Sequence, residues 1–121
     1  MKSDTSSAEN AVLGKAFIRA GGGLSLDDTE LSAVLGVQVS TVLRLLHGHE
    51  LLEPSTEAWC RALLLVELYQ SLLALVGTEQ NAKIWLSSKN RSLSGRPRDL
   101  ITCRTGLEQV VQYLTATRSL I

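Results

Sequence analysis

Residues 62–76 are the longest apolar run in the chain, and they contain Glu67 and Gln70. From 63 to 75 the run is apolar nearly all round a helical wheel, so it demands cover from several sides rather than from one. The rest of the chain has to supply that cover. At 121 residues it forms one domain, or two small ones sharing a core. With only five aromatic residues, that core is mostly Leu, Val and Ala. Leu-rich and Ala-rich composition without period-two alternation favours helices throughout. The run is shorter than the roughly 20 residues of a membrane span. No apolar segment follows Met1-Lys2-Ser3-Asp4, so no signal peptide and a cytoplasmic location are expected.

Punctuation divides the chain into six or seven helices. Residues 1–6 read as a disordered start. Ser6 and Glu9 have the spacing of a capping box, in which each side chain satisfies the other residue's free backbone N–H. Leu13 and Phe17 follow one turn apart, and Gly21-Gly22-Gly23 reads as the helix stop. Ser25 and Asp28 form a second, weaker box before Leu31, Val34 and Leu35, which lie at i, i+3, i+4. Gly36 breaks that helix. A third runs from about Val39 to His47 and stops at Gly48. Pro54 suits the first turn of the long apolar helix, and Gly77 closes it. Thr78 caps a helix carrying Ala82, Trp85 and Leu86. Pro97 starts a one-turn helix with Leu100 and Ile101. Thr105 and Glu108 form a third box, after which Leu107, Val110, Val111 and Leu114 line one face.

Residues 28–47 have helix-turn-helix spacing. Ser32 is the small residue where two helices cross, Gly36 is the turn, and Val42 and Leu45 point inward. Gln38, Ser40, Thr41 and Arg44 then lie outward, with His47. These are side chains of the kind that reach base edges and phosphates. The wording from Glu30 to Val37, with Ser40-Thr41-Val42, resembles Xre/Cro-type repressors.

Twelve Lys/Arg balance twelve Asp/Glu overall, but the halves differ. Residues 1–53 are net −3 and residues 54–121 net +3. Phosphate neutralisation supplies most non-specific DNA affinity, so the acidic half is a poor electrostatic match to DNA. Between 83 and 104, six cations (Lys83, Lys89, Arg91, Arg96, Arg98 and Arg104) stand against one anion, Asp99. This basic stretch coincides with a loop expected at 87–96 and with a segment from Leu93 to Ile101 that is rich in Gly, Pro, Ser and Arg. An aromatic anchor precedes it and a patterned helix follows, which describes an ordered loop rather than a linker.

The segment 85–114 resembles the toxin-binding domain of Xre/MbcA/ParS-type antitoxins. The resemblance rests on Trp85-Leu86, Asn90, Leu93-Ser94-Gly95, Pro97, Leu100-Ile101, Thr102 and Gly106, in that order. With the helix-turn-helix it spans roughly residues 15–115. It implies an all-α helical bundle with an Xre-like helix-turn-helix over 7–53 and a toxin-binding helical domain over 54–121. It implies a non-enzymatic antitoxin of a type II toxin–antitoxin pair. Such antitoxins bind a RES-domain toxin of an NAD-consuming family, occlude its active site, commonly dimerise, and repress their own operon by binding operator DNA. Carried onto this chain, the toxin-binding residues are Trp85, Asn90, Leu93, Gly95, Arg96, Pro97, Arg98, Arg118 and Ile121. Arg96, Arg98 and Arg118 are the cations suited to a phosphate-handling site. The long helix at 54–76 suits a dimer interface or the shared core. The chain departs from the family in ending at Ile121 without a Gly-containing basic tail, which bears on tail insertion.

Other motifs carry less. His47, His49 and Glu50 do not converge as metal ligands. Cys60 and Cys103 fit no metal spacing and read as reduced thiols. Trp59 is a packing anchor. No base–nucleophile pair is apparent, and no cofactor, metal or membrane is expected. The runner-up function is a helix-turn-helix regulator whose C-terminal helices serve only dimerisation.

Overall fold

The structure is a computed structural model describing the backbone of residues 2–120 and side chains from Ala11 to Leu120. Seven helices and no strand occur among the described residues: α1 (Lys2–Gly23), α2 (Asp28–Leu35), α3 (Val39–Leu46), α4 (Glu57–Val76), α5 (Glu79–Ser87), α6 (Pro97–Leu100) and α7 (Arg104–Ser119). The expected all-α bundle is what forms.

The apolar run becomes the central helix. α7, α1, α2 and α5 all pack against α4, while α3 packs on α2 and α6 bridges α5 to α7. Ala62, Leu65, Leu68 and Leu72 of α4 are fully buried, with Phe17 and Ala20 of α1 and Leu107, Val110 and Leu114 of α7. The cover is not complete, however. Leu63 is 47% exposed, so α4 buries a broad stripe and leaves one face to solvent. By length and hydropathy α4 also meets the composition of a bilayer span, contrary to the sequence estimate. In this fold it is the core helix.

Several expected helix ends move. α1 starts at Lys2, so the stretch expected to be a disordered lead-in is helical from that residue, and Ser6 lies inside the helix rather than at its cap. The end at the glycine triplet is where expected, since α1 closes at Gly23. A Cβ on Gly21 would come within 2.7 Å of Leu31 Cδ2, and one on Gly23 within 2.7 Å of Tyr69 Cε1. These glycines permit close approach. Asp27, not Ser25, caps α2. Its Oδ1 accepts from Glu30 N–H at 2.8 Å, while Glu30 Oε1 accepts from Asp27 N–H at 3.0 Å. α4 starts at Glu57, so Pro54 lies ahead of its first turn, and Thr56 caps the helix by accepting from Trp59 N–H at 3.2 Å. Cys103 is the N-cap of α7 without a side-chain hydrogen bond, which leaves Thr105 inside the helix. Thr78 caps α5 as expected, accepting from Asn81 N–H at 3.1 Å.

Candidate functional site

Most of the residues singled out from the sequence fall on two surfaces: the α2–α3 pair, and the region around the loop at 88–96 that joins α5 to α6.

α2 and α3 turn through 106° across Gly36, Val37 and Gln38, within the range of helix-turn-helix pairs. Gly36 adopts φ 73°, and its N–H and that of Val37 both donate to Ser32 C=O, at 2.8 and 3.0 Å. That left-handed residue closes the helix and redirects the chain. Ser32, Val42 and Leu45 are buried, as the spacing requires. Gln38, Ser40 and Arg44 are exposed, and Thr41 is half-buried. Arg44 is not free. Its Nε donates to Glu50 Oε1 at 2.9 Å, and its Nη2 to Thr41 Oγ1 at 3.3 Å. α3 also exposes Val39, Leu43 and Leu46, an apolar stripe beside the polar one. The arrangement is that of a helix-turn-helix pair, and between 28 and 47 it carries Asp28 and Glu30 against Arg44.

The loop at 88–96 is ordered by its own backbone. Asn90 and Gly95 exchange hydrogen bonds, Asn90 N–H to Gly95 C=O at 2.9 Å and Gly95 N–H to Asn90 C=O at 3.2 Å. Inside this ring, Asn90 Oδ1 accepts from Leu93 N–H at 3.1 Å, a side-chain bond to backbone that tightens the turn. Ser94 takes φ 61° to complete it. Leu93 is driven into the core, at 3% exposure. The loop is thus a rigid boss pinned by one Leu, with Lys89, Asn90, Arg91, Ser94 and Gly95 lining a shallow concavity on its outside.

The residues picked out for toxin binding separate into two sets. Leu93 and Pro97 are buried, so they shape the surface rather than present it. Trp85 is half-buried and stacks on Tyr113, with ring centroids 6.4 Å apart. Asn90 and Gly95 are half-buried in the loop ring, while Arg96 and Arg118 are exposed. Arg96 forms a fork with Asp99, Nε to Oδ2 at 3.0 Å and Nη2 to Oδ1 at 3.3 Å. Arg118 Nη1 lies 3.5 Å from Ser71 Oγ. Ile121 lies outside the described residues.

Arg98 turns inward, toward the N-terminal half. Its Nε and Nη2 donate to Glu30 at 2.6 and 3.1 Å, Nη2 also reaches Ser25 C=O at 2.5 Å, and Nη1 reaches Ser87 Oγ at 3.1 Å. The hydrogen bonds from Arg98 hold the Glu30 carboxyl below the usual carboxylate range, against the opposing effect of burial. Arg104 likewise pairs with Glu57, and the hydrogen bond from Arg61 is the main reason the Glu57 carboxyl is also lowered.

The basic stretch is therefore less basic in space than in sequence. Glu30 and Glu57, both far away along the chain, neutralise two of its six cations, and Asp99 a third. Among the described residues, Lys83, Lys89 and Arg91 make no ion pair. The unneutralised charge thus concentrates on the loop and the neighbouring α5. Sequence reasoning missed Glu30 as a partner of Arg98, and with 68 positions between them no local signal marks the pair.

No group of three or more potential metal ligands occurs among the described residues. His47 and His49 are both exposed, with ring centroids 6.3 Å apart.

Comparison with protein families gave two matches that together span almost the whole chain. Residues 5–67 match the antitoxin Xre-like helix-turn-helix domain. Residues 71–119 match the antitoxin Xre/MbcA/ParS C-terminal toxin-binding domain. The junction between the two matches falls within α4, which serves as core for both halves. A comparison with curated proteins gave no match.

Proposed function

We propose that this chain, which belongs to the Xre/MbcA/ParS antitoxin family, neutralises a RES-domain toxin by covering its NAD-consuming active site. It is an antitoxin with a helix-turn-helix half and a toxin-binding half. The observation that supports a contact surface is the loop at 88–96. It is ordered by its own hydrogen bonds, and it exposes the cations Lys89 and Arg91, which no acidic group of the described residues compensates. Exposed Arg96 flanks it, Asn90 holds it in shape, and half-buried Trp85 lies ahead of it on α5. A site that handles NAD must accommodate phosphates, which guanidinium and ammonium groups match. Arg118, exposed near the end of α7 beside Ser71, is a separate contact, and Arg98 ties α6 to the N-terminal half. Operator binding through Gln38, Ser40, Thr41 and Arg44 is the second activity, and the working unit is a homodimer.

The test begins with co-purification of the chain with the product of the adjacent reading frame, followed by NAD consumption with and without the chain. Lys89→Glu combined with Arg91→Glu is expected to weaken toxin binding about 100-fold, with an unchanged circular dichroism spectrum. Full neutralisation by that variant would remove the loop from the interface. Failure of the wild-type chain to bind its neighbour would instead favour a plain regulator.

The DNA activity has its own readout. Arg44→Ala is expected to lower affinity for the DNA upstream of the gene about 10-fold and to leave neutralisation intact. Unchanged affinity would exclude α3 as the reading helix.

A further inference from the structure

α4 leaves one side uncovered, and the exposed surface there is apolar at its centre and oppositely charged at its two edges. Val12 of α1 is 67% exposed and Leu63 of α4 47% exposed. Three shallow grooves open side by side on this face. Val66 and Gln70 line all three, and Leu63 lines two of them. The line from Leu63 to Gln70 is therefore the middle of one continuous surface. Along its α1 edge stand Lys15 and Arg19. Along its α7 edge stands Glu67, beside Glu108 and Arg104, which pair with one another while Arg104 is also engaged by Glu57. Lys15, Arg19 and Glu67 form no ion pair among the described residues.

We propose that a second copy of this chain covers this face, about a two-fold axis running along α4. The proposal rests on the homodimeric reading above and assigns the surface. A symmetric dimer interface must be complementary to itself. Rotation about an axis along α4 keeps each residue at its height and exchanges the two edges. Lys15 lies at the level of Val66 and Gln70, the level of Glu67. It therefore meets the partner subunit's Glu67, and the α1 edge as a whole meets the partner's α7 edge. Leu63, Val66 and Val12 supply the apolar centre. An axis across α4 instead would set Lys15 and Arg19 against their own copies, a like-charge contact that costs stability.

The experiment is sedimentation velocity on the full chain over a range of concentrations. The wild-type protein is expected at twice the 13.1 kDa chain mass. Leu63→Glu is expected to sediment as a monomer with unchanged helical content, since Leu63 is already half-exposed. Lys15→Glu is expected to weaken the dimer about 10-fold or more, and Lys15→Glu combined with Glu67→Lys in the same chain to restore it to within about threefold. A wild-type dimer indifferent to Leu63→Glu and Lys15→Glu overturns the surface and leaves the dimeric reading standing. A wild-type monomer up to about 100 μM overturns both, and means another partner covers the face. Weakening by Lys15→Glu without recovery in the double variant overturns the two-fold arrangement.

Discussion

Gly106→Ala is expected to destabilise the protein by about 3–5 kcal/mol, a large part of the roughly 5–15 kcal/mol that holds a domain of this size. Gly106 is buried in the first turn of α7, where that helix crosses the end of α6. A Cβ there would lie 2.8 Å from the Leu100 carbonyl carbon and 3.2 Å from its Cα. Both are backbone atoms, so relief requires the two helices to separate. Separation exposes Ile101 and Leu107, which are fully buried, and loosens the α6 segment that carries Arg98. Gly14 provides the control within the same chain. It sits inside α1, and a Cβ there meets nothing within 4 Å. Gly14→Ala is therefore expected to gain about 0.5–1 kcal/mol from helix propensity alone. Thermal melts followed by circular dichroism separate the two. A Gly106→Ala midpoint within a few degrees of wild type would mean the α6–α7 crossing yields easily.

That contrast shows what the sequence makes legible. Periodic apolar positions predict faces well, since the burial of one face is a local property of a helix. Leu31, Val34, Leu35, Val42, Leu45, Leu107, Val110, Val111 and Leu114 are all buried as their spacing requires. Helix ends are less local. Ser25 and Asp27 are both competent caps, and packing chooses between them. Leu24 and Leu26 are both buried, which turns Ser25 outward at φ 57° and leaves Asp27 to start α2. Ser55, at φ 68°, similarly separates Pro54 from the helix it was expected to open. At α7 the crossing with α6 sets the start, so Thr105 falls inside the helix. For the loop, composition marked an ordered turn around Gly95, while the pairing of Gly95 with Asn90 was not legible. Summing charges along the chain overstated the basic cluster, because its neutralising carboxylates come from other elements.

Arg98→Ala carries the second large effect, and it falls on both halves at once. Arg98 and Glu30 are 21% and 27% exposed, so their contact is only partly screened. The guanidinium is shared among Glu30, the Ser25 carbonyl and Ser87. Glu30 is also one side of the box that caps α2. Removing Arg98 leaves a half-buried carboxylate and frees the Ser25–Asp27 turn, at an expected cost of about 2–3 kcal/mol. Arg98→Lys recovers only part of it, since an ammonium cannot reproduce the fork. The pH dependence identifies the cause. The folded-state pKa of Glu30 lies below its ordinary 4.5, so its stabilising contribution is present above that value and fades as pH falls through the lowered one. The Arg98 pKa is raised, so its charge is constant across the accessible range. The stability gap between wild type and Arg98→Ala is therefore expected to hold constant from about pH 8 to 6 and to close progressively below pH 4.5. Chemical denaturation at a series of pH values measures it. A gap that persists undiminished at pH 3 would show that Arg98 contributes through packing of its stem, not through the Glu30 carboxylate.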